Sequence, residues 1–280
     1  MNDWAKPTVL ISNCIEFDHC RYDGSIISSD FVKKIKPFVR FKTVCPEVEI
    51  GLGIPRKSLR LVRQGEENRL VQPATGKDMT EKMIAFARSF FLNQSSFHGV
   101  ILKSRSPSCG IKDVKLYAAN KNAAPIKRTS GLFGNLVTSI LPCTVESEGR
   151  LRNTFIQEHF LVSIFTLADF ENVKKNPSIA KLVSFQKKNK FLFMAYNQEL
   201  LRKMGRIAAN QNNTSVNQGL AAYEKVLYMI FNKPPSHKSM VNVLLHLFGF
   251  VSDNLSNAEK RYFLDLIEKY KNEKIPLSVI

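Results

Sequence analysis

At 280 residues the chain has room for one large domain or two ordinary ones, and 44% hydrophobic against 23% charged residues describe a globular protein rather than a disordered or fibrous one. No apolar run is long enough to span a bilayer; the longest uncharged stretch, 129–145, is broken by Asn135, Pro142 and several small polar residues. A formal net charge of +17, carried on both sides of Arg152, favours polyanionic partners, of which nucleic acid is the usual one in cytosol.

In chain order, residues 8–12 (Thr-Val-Leu-Ile-Ser) predict a short buried strand, and 38–44 a second. Residues 78–92 have helical spacing, with Met79, Met83, Ala87 and Phe90 along one side and Asp78 or Thr80 able to cap it. A third strand is expected over 98–103 and a fourth over 114–118. Strands alternating with a helix predict an α/β domain with a mostly parallel sheet. After residue 152 the pattern turns helical: 154–171, 178–188, 195–211, 217–231, 239–251 and 256–272, separated by Asn-Pro, Lys-Pro-Pro and Asn-rich connectors. The expected organisation is therefore an α/β domain over 1–152 and an all-α domain over 153–280.

Five scattered cysteines and no visible secretory signal predict a reducing, cytoplasmic setting and no disulfide framework. Cys14 follows the first strand, Cys45 the second and Cys109 the third. Ligands of an open parallel sheet gather outside the carboxyl ends of its strands, so three thiols distant in sequence are expected at one edge. Close C-x₂-C pairs, the mark of structural zinc, are absent. Three cysteines can hold a [4Fe-4S] cluster with one iron open to substrate, while Cys20 and Cys143 read as buried thiols.

The motifs Cys20-Arg-Tyr-Asp-Gly24, Cys45-Pro-Glu-Val-Glu-Ile-Gly-Leu-Gly-Ile-Pro-Arg56, Thr75-Gly-Lys-Asp78, Ile101-Leu-Lys-Ser-Arg-Ser-Pro-Ser-Cys-Gly110, Gly131-Leu-Phe133 and Glu148-Gly-Arg-Leu151 occur in this order. On them the first 150 or so residues resemble the thiouracil/thiouridine desulfurase family. The remainder resembles the YbgA-like helical domain fused to longer members, through Lys188-Asn-Lys-Phe-Leu-Phe-Met-Ala-Tyr196, Asn242-Val-Leu-Leu-His246 and Lys274-Ile-Pro-Leu277. The resemblance implies a [4Fe-4S] cluster held by Cys14, Cys45 and Cys109, and replacement of C=S by C=O without net redox change. The open iron would act as Lewis acid on sulfur. Glu49 would be the general base, with Glu47 the alternative carboxylate, and Ser106 would contact substrate or the leaving sulfide. One departure concerns the first ligand. The family commonly has Leu-x-Gly after it, whereas Cys14 is followed by Ile15-Glu16-Phe17, which leaves Cys20 as the alternative to Cys14.

In such fused proteins the resemblance implies thiolated tRNA as substrate and partner, and the lack of a membrane-length apolar run predicts no membrane partner. Tyr22 or Phe133 would supply an aromatic platform for the extruded base, and Asp23 or Lys103 would orient the pyrimidine. Lys187, Lys188, Lys190, Arg202, Lys203, Arg206 and Lys238 would meet phosphates. His159 and His237 show no metal-ligand spacing, and His246 reads as a satisfied core histidine. The alternatives are a desulfurase of free thiouracil-type bases and a non-enzymatic nucleic-acid-binding protein whose thiols sense iron or oxidants.

Overall fold

A computed structural model describes residues 5–92, 96–118, 123–210 and 213–280. The chain forms two compact units, residues 1–169 and 170–280. In the first, β1 (Thr8–Ser12), α1 (Asp30–Ile35), β2 (Arg40–Val44), α2 (Pro46–Glu49), β3 (Arg60–Gln64), β4 (Glu67–Gln72), β5 (Lys77–Asp78), α3 (Thr80–Leu92), β6 (Gly99–Leu102), β7 (Val114–Tyr117), β8 (Pro125–Thr129), α4 (Leu132–Ile140), β9 (Thr144–Ser147) and the start of α5 (Thr154–Lys175) follow in order.

Four strands make an all-parallel sheet in the order β2-β1-β6-β9. β1 and β6 lie in the middle and are almost wholly buried, as their unbroken apolar runs require of strands covered on both faces. On one face Val9, Ile11 and Ile101 pack with Phe31 and Val32 of α1 and with Phe160 and Ile164 of α5. Gly99 makes the approach of α5 possible, since a Cβ there would lie 2.6 Å from Ile164 Cγ2. Through this contact residues 154–169 of α5 belong to the first compact unit, which ends within that helix.

The expected strand at 114–118 exists as β7, but it belongs to a second sheet, ordered β5-β4-β3-β7-β8. The segment between β6 and β7 holds no helix, and a parallel neighbour in the same sheet needs a crossover of a dozen or more residues, usually helical. The fourth parallel strand is instead β9, reached after α4. In the second sheet β3 and β4 form a hairpin whose two-residue turn places Gly65 at φ +56°, a conformation such turns demand.

The second unit holds α6 (Ile179–Lys188), α7 (Lys190–Tyr196), α8 (Gln198–Ala208), α9 (Val216–Ile230), α10 (His237–Val251) and α11 (Asn257–Lys271). Ser178, Asn197, Ser215, Ser236 and Ser256 cap five of them. Asn197 breaks the helix expected over 195–211, because as the cap of α8 it takes an extended conformation at φ −160°. The centre is aromatic: Phe170 stacks on Tyr223 at 5.3 Å, with Phe185 and Phe193 beside them. His246 is exposed on α10, not packed in a core as expected, because that helix turns Leu245 and Leu247 outward as well. Among the described residues no helix is long and apolar enough to cross a membrane.

Candidate active site

Because β1, β2 and β6 run parallel, their carboxyl ends meet at one edge, and the loops that follow them enclose a cavity of about 390 Å³. Cys14, Cys45 and Cys109 all line it, and so does Cys20. Cys143 is buried beside β9, lines no part of the cavity, and its thiol is pushed up to about 12 by burial.

Each thiol is held by the strand end that precedes it. Cys14 lies two residues past β1; its carbonyl accepts from Ile27 N at 2.8 Å. Cys45 caps α2, with Pro46 in the first helical position, where proline is tolerated. Gly51, at φ +85°, ends that helix in the left-handed turn glycine favours. Cys109 sits in a loop folded against the start of α4 by hydrogen bonds from Leu132 N to Pro107 O (3.2 Å), Gly134 N to Ser108 O (3.0 Å) and Gly131 N to Gly110 O (2.9 Å).

The thiols interact with one another. The Cys20 thiol is pushed up to about 11, first by the neighbouring Cys14 thiol and also by burial, against the effect of Cys45, and Cys45 Sγ donates to Cys20 O at 3.8 Å. Cys45 is raised as well, first by its bond with Cys20 and then by burial. Burial raises Cys109, against hydrogen bonds from Ser12 and Ser106. As bare thiols these groups are held neutral at pH 7; a positive centre among them would reverse that balance and draw out thiolates.

Of the two carboxylates after Cys45, the structure turns Glu47 toward the cavity and leaves Glu49 exposed outside it. Two residues on a helix are separated by roughly 200° of rotation, so α2 cannot present both to the same side. Glu47 is well held. Arg56 donates to its Oε2 from Nε and Nη2, both at 2.8 Å, and Ser108 Oγ donates to its Oε1 at 2.9 Å. The Arg56 side chain is only 6% exposed, and its Nη1 also donates to Cys20 O at 3.0 Å. Arg56 was legible as the last residue of the Cys45 motif, but nothing in the sequence showed that it reaches back to Glu47 and Cys20 together.

Ser106 lines the cavity, and its Oγ accepts from Ser108 N (3.2 Å) and Cys109 N (3.1 Å), bracing the Cys109 loop. Tyr22 lies on the rim, 46% exposed. Phe133 does not serve as a platform: it is fully buried against Phe86, Phe90 and Phe91. Asp23 is exposed and occupied with Ser25 and Arg21. Lys103 lines the cavity, but its Nζ is bound by Glu148 at 2.7 Å and by Ser104 O at 2.8 Å. Burial would raise the Glu148 carboxyl, yet the bonds and charge of Lys103 with those of Ser104 hold it below its ordinary value.

A second cavity of about 510 Å³ shares Arg21, Lys103, Ser104 and Arg105 with the first and adds Arg128, Arg150 and Arg152. In the helical unit Arg202 and Arg206 line a shallow depression with Glu199. Among the described residues no three His, Cys, Asp or Glu side chains converge tightly enough to hold a single metal ion. The thiols instead surround a space, which suits a polynuclear group with one cysteine at each of several corners.

A parallel sheet that delivers separated cysteines to one edge, with a fixed carboxylate among them, defines a cysteine-lined catalytic cavity of the α/β class. Residues 9–148, half of the chain, match the model of a family described as 2-thiouracil desulfurase, and the chain belongs to that family. The reaction class is thereby the desulfuration of a thiouracil-type base. Residues 190–280 match a second family model, described as a protein of unknown function. The chain is 32% identical to the uncharacterized protein YbbK of Bacillus subtilis, covering 36% of this chain and 72% of that one. It is 23% identical to the uncharacterized protein YbgA of Escherichia coli, covering 42% of this chain and 70% of that one. Among solved structures it is similar to the [4Fe-4S]-dependent thiouracil desulfidase TudS, at 27% identity and a TM-score of 0.41, over 52% of this chain and 94% of that one.

Proposed function

We propose that this protein removes sulfur from thiouridine in tRNA, converting C=S to C=O with water as the oxygen donor and hydrosulfide as the product. The reading rests above all on one observation: Cys14, Cys45 and Cys109, from three strand ends, line one cavity together with a shielded, oriented carboxylate. Those three cysteines would hold a [4Fe-4S] cluster, the group on which the thiouracil desulfidase TudS depends. When bound, the cluster supplies a Lewis-acidic iron that draws electron density from the thiocarbonyl through its sulfur.

The rest falls to the chain. Glu47, rather than Glu49, is the base that takes a proton from the attacking water, since it is the carboxylate of that loop facing the cavity. Arg56 holds it in place, and Ser108 occupies one lone pair of Oε1, leaving that oxygen able to accept from a water. Ser106 holds the Cys109 loop in shape from the cavity wall. Tyr22 on the rim offers a ring face to the pyrimidine. Carbon exchanges its C=S bond for C=O; one water proton leaves with hydrosulfide, Glu47 passes the other to solvent, and no electron is transferred.

The RNA is favoured over a free base by the second cavity. It opens beside the first and is lined by Arg21, Arg105, Arg128, Arg150 and Arg152, of which Arg105, Arg128 and Arg152 make no ion pair among the described residues. Guanidinium forks of this kind match phosphate oxygens on either side of an extruded nucleotide.

The test is anaerobic turnover of the iron- and sulfide-loaded protein on thiolated tRNA and on free thiouracil, following hydrosulfide release. Glu47→Gln should lower the rate by about 10²–10⁴-fold, whereas Glu49→Gln should leave it within about twofold of the parent, as expected of an exposed surface residue. Equal loss in the two variants would remove Glu47 from its role. Turnover of the free base with none on tRNA would replace the RNA reading by the free-base one.

A further inference from the structure

A third cavity, of about 400 Å³, lies on the second sheet and shares Leu59, Arg105 and Pro107 with the active-site cavity. Strand register gives it a row of cations. Lys115 of β7 stands directly opposite Arg128 of β8. Arg60 of β3 and Lys115 each come one residue before a member of the Leu61–Leu116 pair, so the three cations fall in line across three strands. Strand alternation sets them on the face opposite the buried Leu61 and Leu116. Like charges directly opposite across strands are destabilising, so the row costs stability while nothing neutralises it. Asp113 is the one carboxylate lining this cavity among the described residues, and it is turned elsewhere. Its Oδ2 accepts from Arg105 N at 2.9 Å, and its Oδ1 is buried without a hydrogen-bond partner, 2.8 Å from where a Cβ on Gly110 would stand. The Arg60 guanidinium lies over the Tyr117 ring, 4.4 Å from its centroid, and both side chains line the cavity. Arg105 borders all three cavities and is held at φ +59°, a conformation that costs energy outside glycine and gathers at ligand sites.

We propose that this cavity is the subsite for the nucleotide next to the thiolated one: Arg105 takes the phosphodiester joining the two, Lys115 and Arg128 take the following phosphate, and the neighbouring base stacks on the Arg60–Tyr117 pair. The inference rests on the RNA reading above and deepens it. A row of cations beside an aromatic ring is the pairing that single-stranded nucleic acid meets, charge on the backbone and a flat surface under the base. Guanidinium planes and aromatic rings both accept an unstacked base. Among the described lining residues there is no Asn, Gln, Ser or Thr to read a base edge, so the subsite takes any base. A free thiouracil cannot reach it, whereas a nucleotide within a chain can. The subsite therefore adds affinity that depends on substrate length and leaves the chemistry at the thiocarbonyl untouched.

The experiment uses the full chain, loaded anaerobically, and measures binding by calorimetry, without turnover. The probes are uridine monophosphate, diuridylates carrying a terminal phosphate on either end, and inorganic phosphate. In the parent one of the diuridylates should bind roughly 5- to 150-fold tighter than the monophosphate, the worth of one stacked base. Tyr117→Leu and Arg60→Gln should each lose most of that gain and leave monophosphate binding as it was. Lys115→Gln should lower the salt slope of diuridylate binding by about 1, and Lys115→Arg should restore it. Equal binding of monophosphate and both diuridylates in the parent, or a gain that survives in all three variants, overturns the proposal. Inorganic phosphate bound as tightly as the diuridylate would make this a plain anion site, which also overturns it. Lys115 is exposed, so Lys115→Gln decides the case if Tyr117→Leu does not fold. A parent that turns over free thiouracil but neither binds nor desulfurates thiolated tRNA overturns the RNA reading itself; tRNA turnover without the length gain overturns this subsite alone.

Discussion

Gly134 stands in the first turn of α4, where helix propensity alone would favour alanine by about 1 kcal/mol. Packing opposes it. A Cβ at this position would lie 2.5 Å from Gly110 O and 2.6 Å from Cys109 O, and both obstacles are backbone, unable to rotate away. Overpacking of this kind costs roughly 1–3 kcal/mol, and two carbonyls inside contact distance put the site near the top of that range. The net loss is then about 2 kcal/mol, or a fall of about 4–8 °C in the melting temperature of a unit of this size. Calorimetry of Gly134→Ala against the parent measures it. Since the displaced atoms are those that carry Cys109, its buried thiol should also alkylate faster in the metal-free protein. Gly205→Ala in α8 is the control: its new Cβ would meet nothing nearer than Gln186 Nε2 at 3.9 Å, so about 1 kcal/mol of stabilisation should appear there. If Gly134→Ala proves as stable as Gly205→Ala and Cys109 reacts no faster, the close packing of α4 on the cysteine loop is wrong.

Arg56→Lys keeps the charge but cannot span Glu47 and Cys20 O together; iron loading should fall and stability should drop by about 1.5–3 kcal/mol, as for lost hydrogen bonds to a charged group, measured by urea unfolding. Glu148 should make the first unit acid-sensitive. Its folded pKa lies below the ordinary carboxylate value of about 4.3, so its contribution is whole above that pH and is lost as pH falls through the depressed folded value. Glu148→Gln should therefore flatten the pH dependence of the urea midpoint on the acid side, and an unchanged slope would assign the acid sensitivity elsewhere. Tyr223→Phe removes the 2.5 Å bond to Gln186 Oε1 from the centre of the helical unit, with an expected loss of about 1–2 kcal/mol by thermal unfolding; no change would mean that water satisfies Gln186.

How far the sequence could be read depended on where each element is buried. β1 and β6 are covered on both faces, so their apolar runs announced them and, with them, the positions of Cys14 and Cys109. The second sheet was hidden because β8 sets Lys127 and Arg128 on exposed positions and β3 flanks its two buried residues, Leu61 and Val62, with half-buried arginines, so neither shows an apolar run. β9 was missed for a related reason: Glu146 and Ser147 are polar yet buried, Glu146 through its pairing with Arg150. The choice between Glu47 and Glu49 turned on a single helical turn, which periodicity over longer windows does not resolve. Phe133 looked available for stacking until α3 supplied three phenylalanines around it. The cap at Asn197 was the kind of signal that sequence does contain, an Asn before a fresh amphipathic run, and it outweighed the continuous helical propensity on either side.

The delivery of the thiols by three strand ends also bears on the order in which the protein matures. Their positions, from residue 14 to residue 109, leave no two of them close along the unfolded chain except Cys14 and Cys20, so a nascent polypeptide offers a metal almost no chelating advantage. Only after β1 has paired with β2 and β6, across long loops whose closure is costly, do the sulfurs come together. The binding pocket is thus a late product of folding, and the apolar centre of the sheet must be stable in its own right beforehand. Metal binding then adds to a structure already formed, in contrast to small metal-dependent domains whose fold exists only once the ion arrives.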